Sequence, residues 1–276
     1  MIAGSASRTA QGAAMHRAAH QLCDHPLVVE DPLALKIVGA EAAAELREGR
    51  SRWLDPRFSA LRALVVIRSR LTEDTVGDSG VSQYVALGAG LDTFGCRRPG
   101  IAAFEVDHPA TQSWKRQRLR EAGIAVPPGL AFVPVDFERE NFADGMVRAG
   151  FDSDKPAVVA WLGVVPYLEK QTVFGTLTTL AQMLAKGSHV IFDYPAPREE
   201  LSEEERRLAA AFAVRVAAAG EPLRTFLGPQ ELQNELGRLH VHGEDFNHAT
   251  LSARYLAGRS DGLALSRHAH IMRVSL

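Results

Sequence analysis

Five short apolar runs, each followed by a turn signal and then a helical stretch, constrain this chain more than any other feature. They are Tyr84-Val85-Ala86-Leu87, Ala102-Ala103-Phe104-Glu105-Val106, Ala131-Phe132-Val133-Pro134-Val135, Ala157-Val158-Val159-Ala160-Trp161 and His189-Val190-Ile191-Phe192-Asp193. Continuous apolar runs read as strands buried on both faces, as in a parallel sheet. Strands alternating with helices give an α/β fold with a mostly parallel, doubly wound sheet. Residues 1–80 read instead as a helical N-terminal cap, broken at Asp24-His25-Pro26, Asp31-Pro32 and Asp55-Pro56, on a core spanning 81–276. The pattern predicts a long helix over Phe58–Asp74 that ends before Gly77. Beyond the fifth run it predicts a helix from near Ser202, another opened by Pro229 and reaching Leu236, and a late hairpin-like pair of strands around Leu239–Val241 and His270–Ser275.

The composition narrows the classes. The 276 residues carry a net charge of -2, and 46% of them are hydrophobic. No basic domain or stripe points to nucleic acid, and Lys115, Arg116, Arg118 and Arg120 read as a solvated helix face. Cys23 and Cys96 are too few for a disulfide framework or zinc site and suit free thiols. The start lacks a long apolar segment, and no window approaches eighteen uninterrupted apolar residues, so a cytoplasmic protein without a membrane partner is expected. His240 with His242, and His268 with His270, alternate like strand residues but lack other ligands at metal spacing, so no metal is expected. Oligomeric state is not readable from the sequence.

Ligands of open α/β sheets bind outside the carboxyl ends of the strands. The first run ends in Gly88-Ala89-Gly90-Leu91-Asp92-Thr93. Glycines allow a tight turn and close backbone approach to a ligand, although a bare strand-end turn has the same composition. A dinucleotide fingerprint would place a third glycine where Thr93 stands. The second run ends in Asp107-His108-Pro109, with Asp107 seventeen residues beyond Gly90, a spacing that suits an acid chelating a ribose diol; an Asp capping the next helix is the alternative. The third ends in Asp136-Phe137, where the acid can accept from an adenine amino group while the ring packs near the base, or simply close a turn. In order, without the third glycine, these features fit S-adenosyl-L-methionine better than NAD.

At this point the sequence resembles the leucine carboxyl methyltransferase family, in particular its bacterial branch. The resemblance is carried by Ser7-Arg8-Thr9-Ala10, Arg17-Ala18, Asp31-Pro32-Leu33-Ala34, Arg68, Leu87 to Thr93, Phe104 to Pro109, Lys115, Val133 to Phe137, Gly150-Phe151-Asp152, Gly163 to Leu168 and Phe192-Asp193-Tyr194. It covers about residues 5 to 200 and weakens in the C-terminal third. It implies a class I methyltransferase fold, Rossmann-like, with S-adenosyl-L-methionine as cofactor. It implies cofactor contacts at Arg68, Gly88, Ala89, Gly90, Asp92, Asp107, His108, Asp136 and Phe137, and at Leu162-Gly163 after the fourth run. Arg68 would pair with the cofactor's methionine carboxylate, a role suited to guanidinium. His108 is expected to cap a helix. One departure stands out: Leu162 occupies the position where the family carries a Glu near the cofactor's amino group.

Methyl transfer from a sulfonium to a carboxylate needs no general base, because the acceptor is already ionised near neutral pH. A phenol would benefit from one, and no unambiguous base stands at the strand ends. The reading is an O-methyltransferase acting on the carboxylate of a small molecule such as a polyketide or other natural-product acid. A phenolic O-methyltransferase and a non-catalytic binding protein of the same fold are the alternatives. Arg8, Arg17, Tyr167 and Tyr194 are the candidate acceptor contacts, between the sheet's carboxyl edge and the N-terminal cap; each has a surface, salt-bridged or core alternative.

Overall fold

The computed structural model describes residues 7–136, 140–197, 199, 201–218 and 220–276. Five helices precede the sheet: α1 (Arg8–Cys23), α2 (Ala34–Ile37), α3 (Ala40–Glu48), α4 (Arg50–Trp53) and α5 (Pro56–Ser79). Ser7 opens α1, its hydroxyl accepting the Ala10 N–H at 3.1 Å, which satisfies one of the donors a helix start leaves unpaired. α5 runs past Gly77, its expected end. A glycine inside a helix costs only about 1 kcal/mol, and the stop is Gly80, which adopts φ +62°.

The sheet region follows with β1 (Gln83–Leu87), α6 (Phe94–Arg97), β2 (Ala102–Asp107), α7 (Pro109–Glu121), β3 (Leu130–Pro134), α8 (Phe142–Arg148) and β4 (Ala157–Trp161). After a 3-10 turn at Val165–Tyr167 come α9 (Lys170–Met183), β5 (His189–Pro195), α10 (Glu203–Ala218), α11 (Pro229–Arg238), β6 (His242–Phe246), α12 (His248–Tyr255) and β7 (Ala269–Ser275). The strand order is β3-β2-β1-β4-β5-β7-β6; β1 to β5 pair in parallel, and β7 joins β5 and β6 antiparallel. Every residue of β1 and β4 is buried, as the unbroken apolar runs require. Pro134 is tolerated because β3 lies at the sheet edge.

Side chains alternate between two cores. Val85, Leu87, Val159 and Trp161 pack towards α8, α9 and α11, while Tyr84, Ala86, Val158 and Ala160 pack towards Ile67 and Leu71 of α5. The chain leaves β1 towards β2 on one side and finds β4 on the other, so the order reverses at β1 and opens a crevice at the strands' carboxyl ends.

Three expectations change here. The sixth strand forms at His242–Phe246 rather than Leu239–Val241, because Leu232, Leu236 and Leu239 follow a helical spacing and pack on the core, and His240 turns the chain with φ +56°. α12 also separates β6 from β7, so they are not a tight hairpin. Lys115, expected on a solvated face, is buried with its Nζ 2.5 Å from Glu105 Oε2. Burial pushes the Glu105 carboxyl up to about 7 against the pull of Lys115. Among the described residues no helix is long and apolar enough to cross a membrane, and no cluster of His, Cys, Asp and Glu could hold a metal ion.

Candidate active site

The glycine turn sits at the end of β1. Gly88 and Gly90 hold φ of +73° and +48°, which only glycine adopts without strain. A Cβ on Gly88 would fall 2.4 Å from Val164 Cγ2, and one on Gly90 would fall 2.9 Å from the Ala10 Cβ of α1. Helix α1 therefore lies directly over the turn. Ala89 is buried, and Asp92 closes the turn by accepting the Phe94 N–H at 2.6 Å.

Asp107, at the end of β2, is buried beside this turn. Its Oδ2 accepts the Gly90 N–H at 2.6 Å and its Oδ1 the His108 N–H at 2.7 Å. Burial pushes its pKa up, and the two backbone N–H groups pull it back. Each carboxylate oxygen has two acceptor sites, so one backbone bond apiece leaves both able to take a hydroxyl. His108 caps α7 by accepting the Ala110 N–H on Nδ1 at 3.2 Å. The Val135 N–H donates to the Asp107 carbonyl at 2.9 Å, which brings the half-buried Asp136 to the same edge. Phe137 lies outside the described residues.

A second cluster gathers at the ends of β4 and β5. Arg68 reaches in from α5 and donates from Nη1 to Asp193 Oδ2 at 2.8 Å, while Asp193 Oδ1 accepts the Gly163 N–H at 2.6 Å. Gly163 adopts φ +71°, and a Cβ there would lie 2.8 Å from both terminal nitrogens of Arg68. Leu162 is half-buried and packs on the core under α5. The carboxylate at this end of the sheet is thus Asp193, one strand over from Leu162. Tyr167 stands close to Thr9, Arg68, Asp193 and Glu221, and burial raises its hydroxyl to about 12. Glu221 accepts the Thr9 N–H at 2.8 Å and ties the start of α1 to the segment after α10.

Two candidate acceptor contacts are reassigned. Arg17 is buried; its Nε donates to Asp31 Oδ2 at 2.7 Å and its Nη2 to the Leu91 carbonyl. Asp31 also accepts the Thr93 hydroxyl at 2.6 Å. Arg17 is committed to clamping the cap onto the glycine turn. Tyr194 points away from Asp193, because neighbouring strand residues face opposite sides. It is 3% exposed in the core, and its hydroxyl donates to Asp245 Oδ1 at 2.9 Å. Arg8 is exposed on the rim of a cavity of about 500 Å³ that Trp114 and Arg118 also line. Of the paired histidines, His240 forms a turn, His242 is exposed and His270 bonds Asp245.

Asp193, Glu221 and Thr9 were not singled out by strand-end reasoning. Asp193 closes the fifth apolar run and lies two residues before the end of β5, so reasoning from the strand ends reaches it as well. Glu221 carries no motif and joins the site only through folding.

The site has the parts S-adenosyl-L-methionine calls for. Asp107 offers paired acceptor positions beside a left-handed glycine turn, and Arg68 fills the cradle that Gly163 leaves open. The fold is that of class I S-adenosyl-L-methionine-dependent methyltransferases. The sequence profile of "Leucine carboxyl methyltransferase" matches residues 10–181, and the chain belongs to that family. The Bacillus subtilis (strain 168) protein YktD, provisionally named an S-adenosyl-L-methionine-dependent methyltransferase, is 34% identical over 63% of this chain and 60% of its own length. A Mycolicibacterium paratuberculosis (strain ATCC BAA-968 / K-10) protein named in the same way is 30% identical over 94% of this chain and 90% of its own. The crystal structure of a DUF574 family protein from Streptomyces avermitilis MA-4680 superposes with a TM-score of 0.62 at 15% identity, covering 100% of this chain and 99% of that one, and shows the same fold.

Proposed function

We propose that this chain transfers the methyl group of S-adenosyl-L-methionine to a carboxylate oxygen of a small organic acid, such as a polyketide or other natural-product acid. When bound, the cofactor supplies an electrophilic methyl on a sulfonium. Asp107 would hold its ribose hydroxyls, Asp136 its adenine amino group and Arg68 its carboxylate, with Asp193 keeping the guanidinium in place. Leu162 offers no charge to the amino group; Asp193, which accepts the N–H of the next residue, Gly163, is a carboxylate beside that position.

The observation that carries the carboxylate reading is Tyr167. With its hydroxyl raised to about 12 it stays protonated, so beside Arg68 it presents a hydrogen-bond donor rather than a base. The neighbouring carboxylates are already engaged: Asp193 by Arg68 and Gly163, Glu221 by Thr9. Donors suit an acceptor that is already an anion, whereas a phenol would need its proton removed. Helix α1 covers the edge and limits water, so positioning and water exclusion supply the acceleration.

The test is labelled methyl transfer from S-adenosyl-L-methionine to a panel of aromatic and polyketide-type acids and their phenolic counterparts. Label released as methanol in dilute alkali is expected. Alkali-stable label on the phenols would overturn the carboxylate reading.

A further inference from the structure

On the underside of the covering helix lies a buried group that the cofactor site does not use. His16 of α1 is 7% exposed, and its Nδ1 is buried with no hydrogen-bond partner among the described residues. A buried ring nitrogen without a partner is uncommon and calls for a missing one. The ring meets the edge of Trp53, with centroids 5.1 Å apart, and lies 6.5 Å from Phe58; Trp53 and Phe58 are 5.3 Å apart and both half-buried. Thr9, Gly12 and His16 recur at helical spacing along one strip of α1. A Cβ on Gly12 would meet nothing within 4 Å, so α1 leaves open space at Gly12, between Thr9, beside Tyr167, and His16.

The surroundings are cationic. Arg62, Arg215 and Arg68 all lie near enough to act on the imidazole. Arg62 is neutralised by Asp24, with Nε and Nη2 at 2.8 and 2.9 Å from its oxygens, and Arg68 by Asp193. Arg215, exposed on α10, has no salt bridge to a described residue; its guanidinium lies 5.3 Å from the centre of the Phe212 ring. Burial, with these three arginines, lowers the His16 pKa to about 3, so the ring is neutral near pH 7. A neutral imidazole carrying its proton on Nδ1 donates to an anion without adding charge.

Resting on the methyltransferase reading, we propose that His16, Trp53, Phe58 and Arg215 form the acceptor subsite and select a flat, aromatic carboxylic acid. The aromatic pair takes the apolar body, Arg215 draws the anion in, and Nδ1–H of His16 holds one carboxylate oxygen. The second oxygen is left for the methyl group. His16 acts here as a positioning and binding residue, not as a base.

The test is calorimetric titration of cinnamate and of its neutral amide into protein saturated with S-adenosylhomocysteine. Cinnamate should bind saturably and the amide about tenfold or more weakly, as for loss of one hydrogen bond to a charged group. His16→Phe should weaken cinnamate by a similar factor. His16→Asn, which keeps a donor near Nδ1, should stay within about threefold. Arg215→Ala, on an exposed helix face, should weaken cinnamate and reduce its salt dependence. Each variant should bind S-adenosylhomocysteine as the parent does, which reports intact folding. Unchanged cinnamate affinity in His16→Phe, equal binding of the amide, or no cinnamate binding would overturn the subsite. Failure of the parent to bind S-adenosylhomocysteine would instead sink the methyltransferase reading, and the cinnamate titrations on the protein alone would still decide the subsite.

Discussion

Nη1 of Arg68 lies 2.8 Å from Oδ2 of Asp193, which ties the helix before the sheet to the end of its fifth strand across 125 residues of sequence. Both side chains are nearly buried, at 10% and 6% exposure. The pair fixes the guanidinium against Gly163, where the cofactor's carboxylate is expected. Arg68→Lys keeps the charge but loses the planar fork. Its affinity for S-adenosylhomocysteine should fall by roughly 1.5–3 kcal/mol in calorimetry. Asp193→Asn leaves Arg68 buried and unpaired and should destabilise the fold by about 3 kcal/mol in urea unfolding. Parent-like behaviour in both variants would remove the pair from the site.

Asp107 presents the same kind of linkage at the other end of the crevice. Asp107→Ala removes both acceptor oxygens and should weaken cofactor binding by roughly 1.5–3 kcal/mol. It also orphans the Gly90 N–H, so a lowered melting temperature should accompany the lost affinity. A folded variant with full affinity would place the ribose elsewhere.

The clamp between cap and turn predicts an acid-sensitive fold. Burial raises the carboxyls of Asp31 and Asp24, but their partners more than compensate: Arg17, Arg97 and Thr93 for Asp31, and His20 and Arg62 for Asp24, so both pKa values lie below the ordinary 3.8. A carboxyl depressed in the folded state stabilises it above the unfolded value, and that stability is lost as pH falls through the folded one. Thermal stability should therefore drop below about pH 4. In Arg17→Met, with Asp31 left short of a partner, the fold should lose about 3 kcal/mol at neutral pH. Melting curves across pH check both statements, and a flat acid limb would contradict them.

Glu105 and Lys115 offer the opposite sign. Folded Glu105 keeps its proton up to about pH 7, whereas the unfolded chain releases it near 4.5. Its contribution is present below the unfolded value and is lost as pH rises towards 7. Lys115→Met alone leaves a buried acid and should cost about 3 kcal/mol near pH 7, while Glu105→Gln with Lys115→Met should restore most of it and flatten the profile between those values. Equal losses in the single and double variants would deny the coupling.

The legible part of this molecule was that carried by local pattern. Unbroken apolar runs specify strands buried on both faces, and glycine after the first run specifies a left-handed turn. Asp107 was legible because a strand end is a position that can be counted from the turn. Phe58–Asp74 reads as a helix too, but Gly77, a weak helix former, does not end it, and the turn persists until Gly80 reverses φ. Lys115 read as solvated because charge on a helix is usually outside; only the facing Glu105 makes its burial tolerable.

The acceptor contacts show the limit most sharply. Arg17 and Tyr194 carry side chains suited to a ligand, but Arg17 finds Asp31 and Leu91, and Tyr194 finds Asp245. Asp193 and Glu221 reach the crevice from a strand and a late loop, and His16 of the first helix is buried with its Nδ1 unpaired among the described residues. The sequence by itself determined the doubly wound sheet, its glycine turn and the acid that ends the second strand, because each is encoded within one strand–turn–helix unit. Only the tertiary structure decided which charges are spent on one another and which buried group is left without a partner among the described residues, because pairing and burial depend on residues brought together from far apart in the chain.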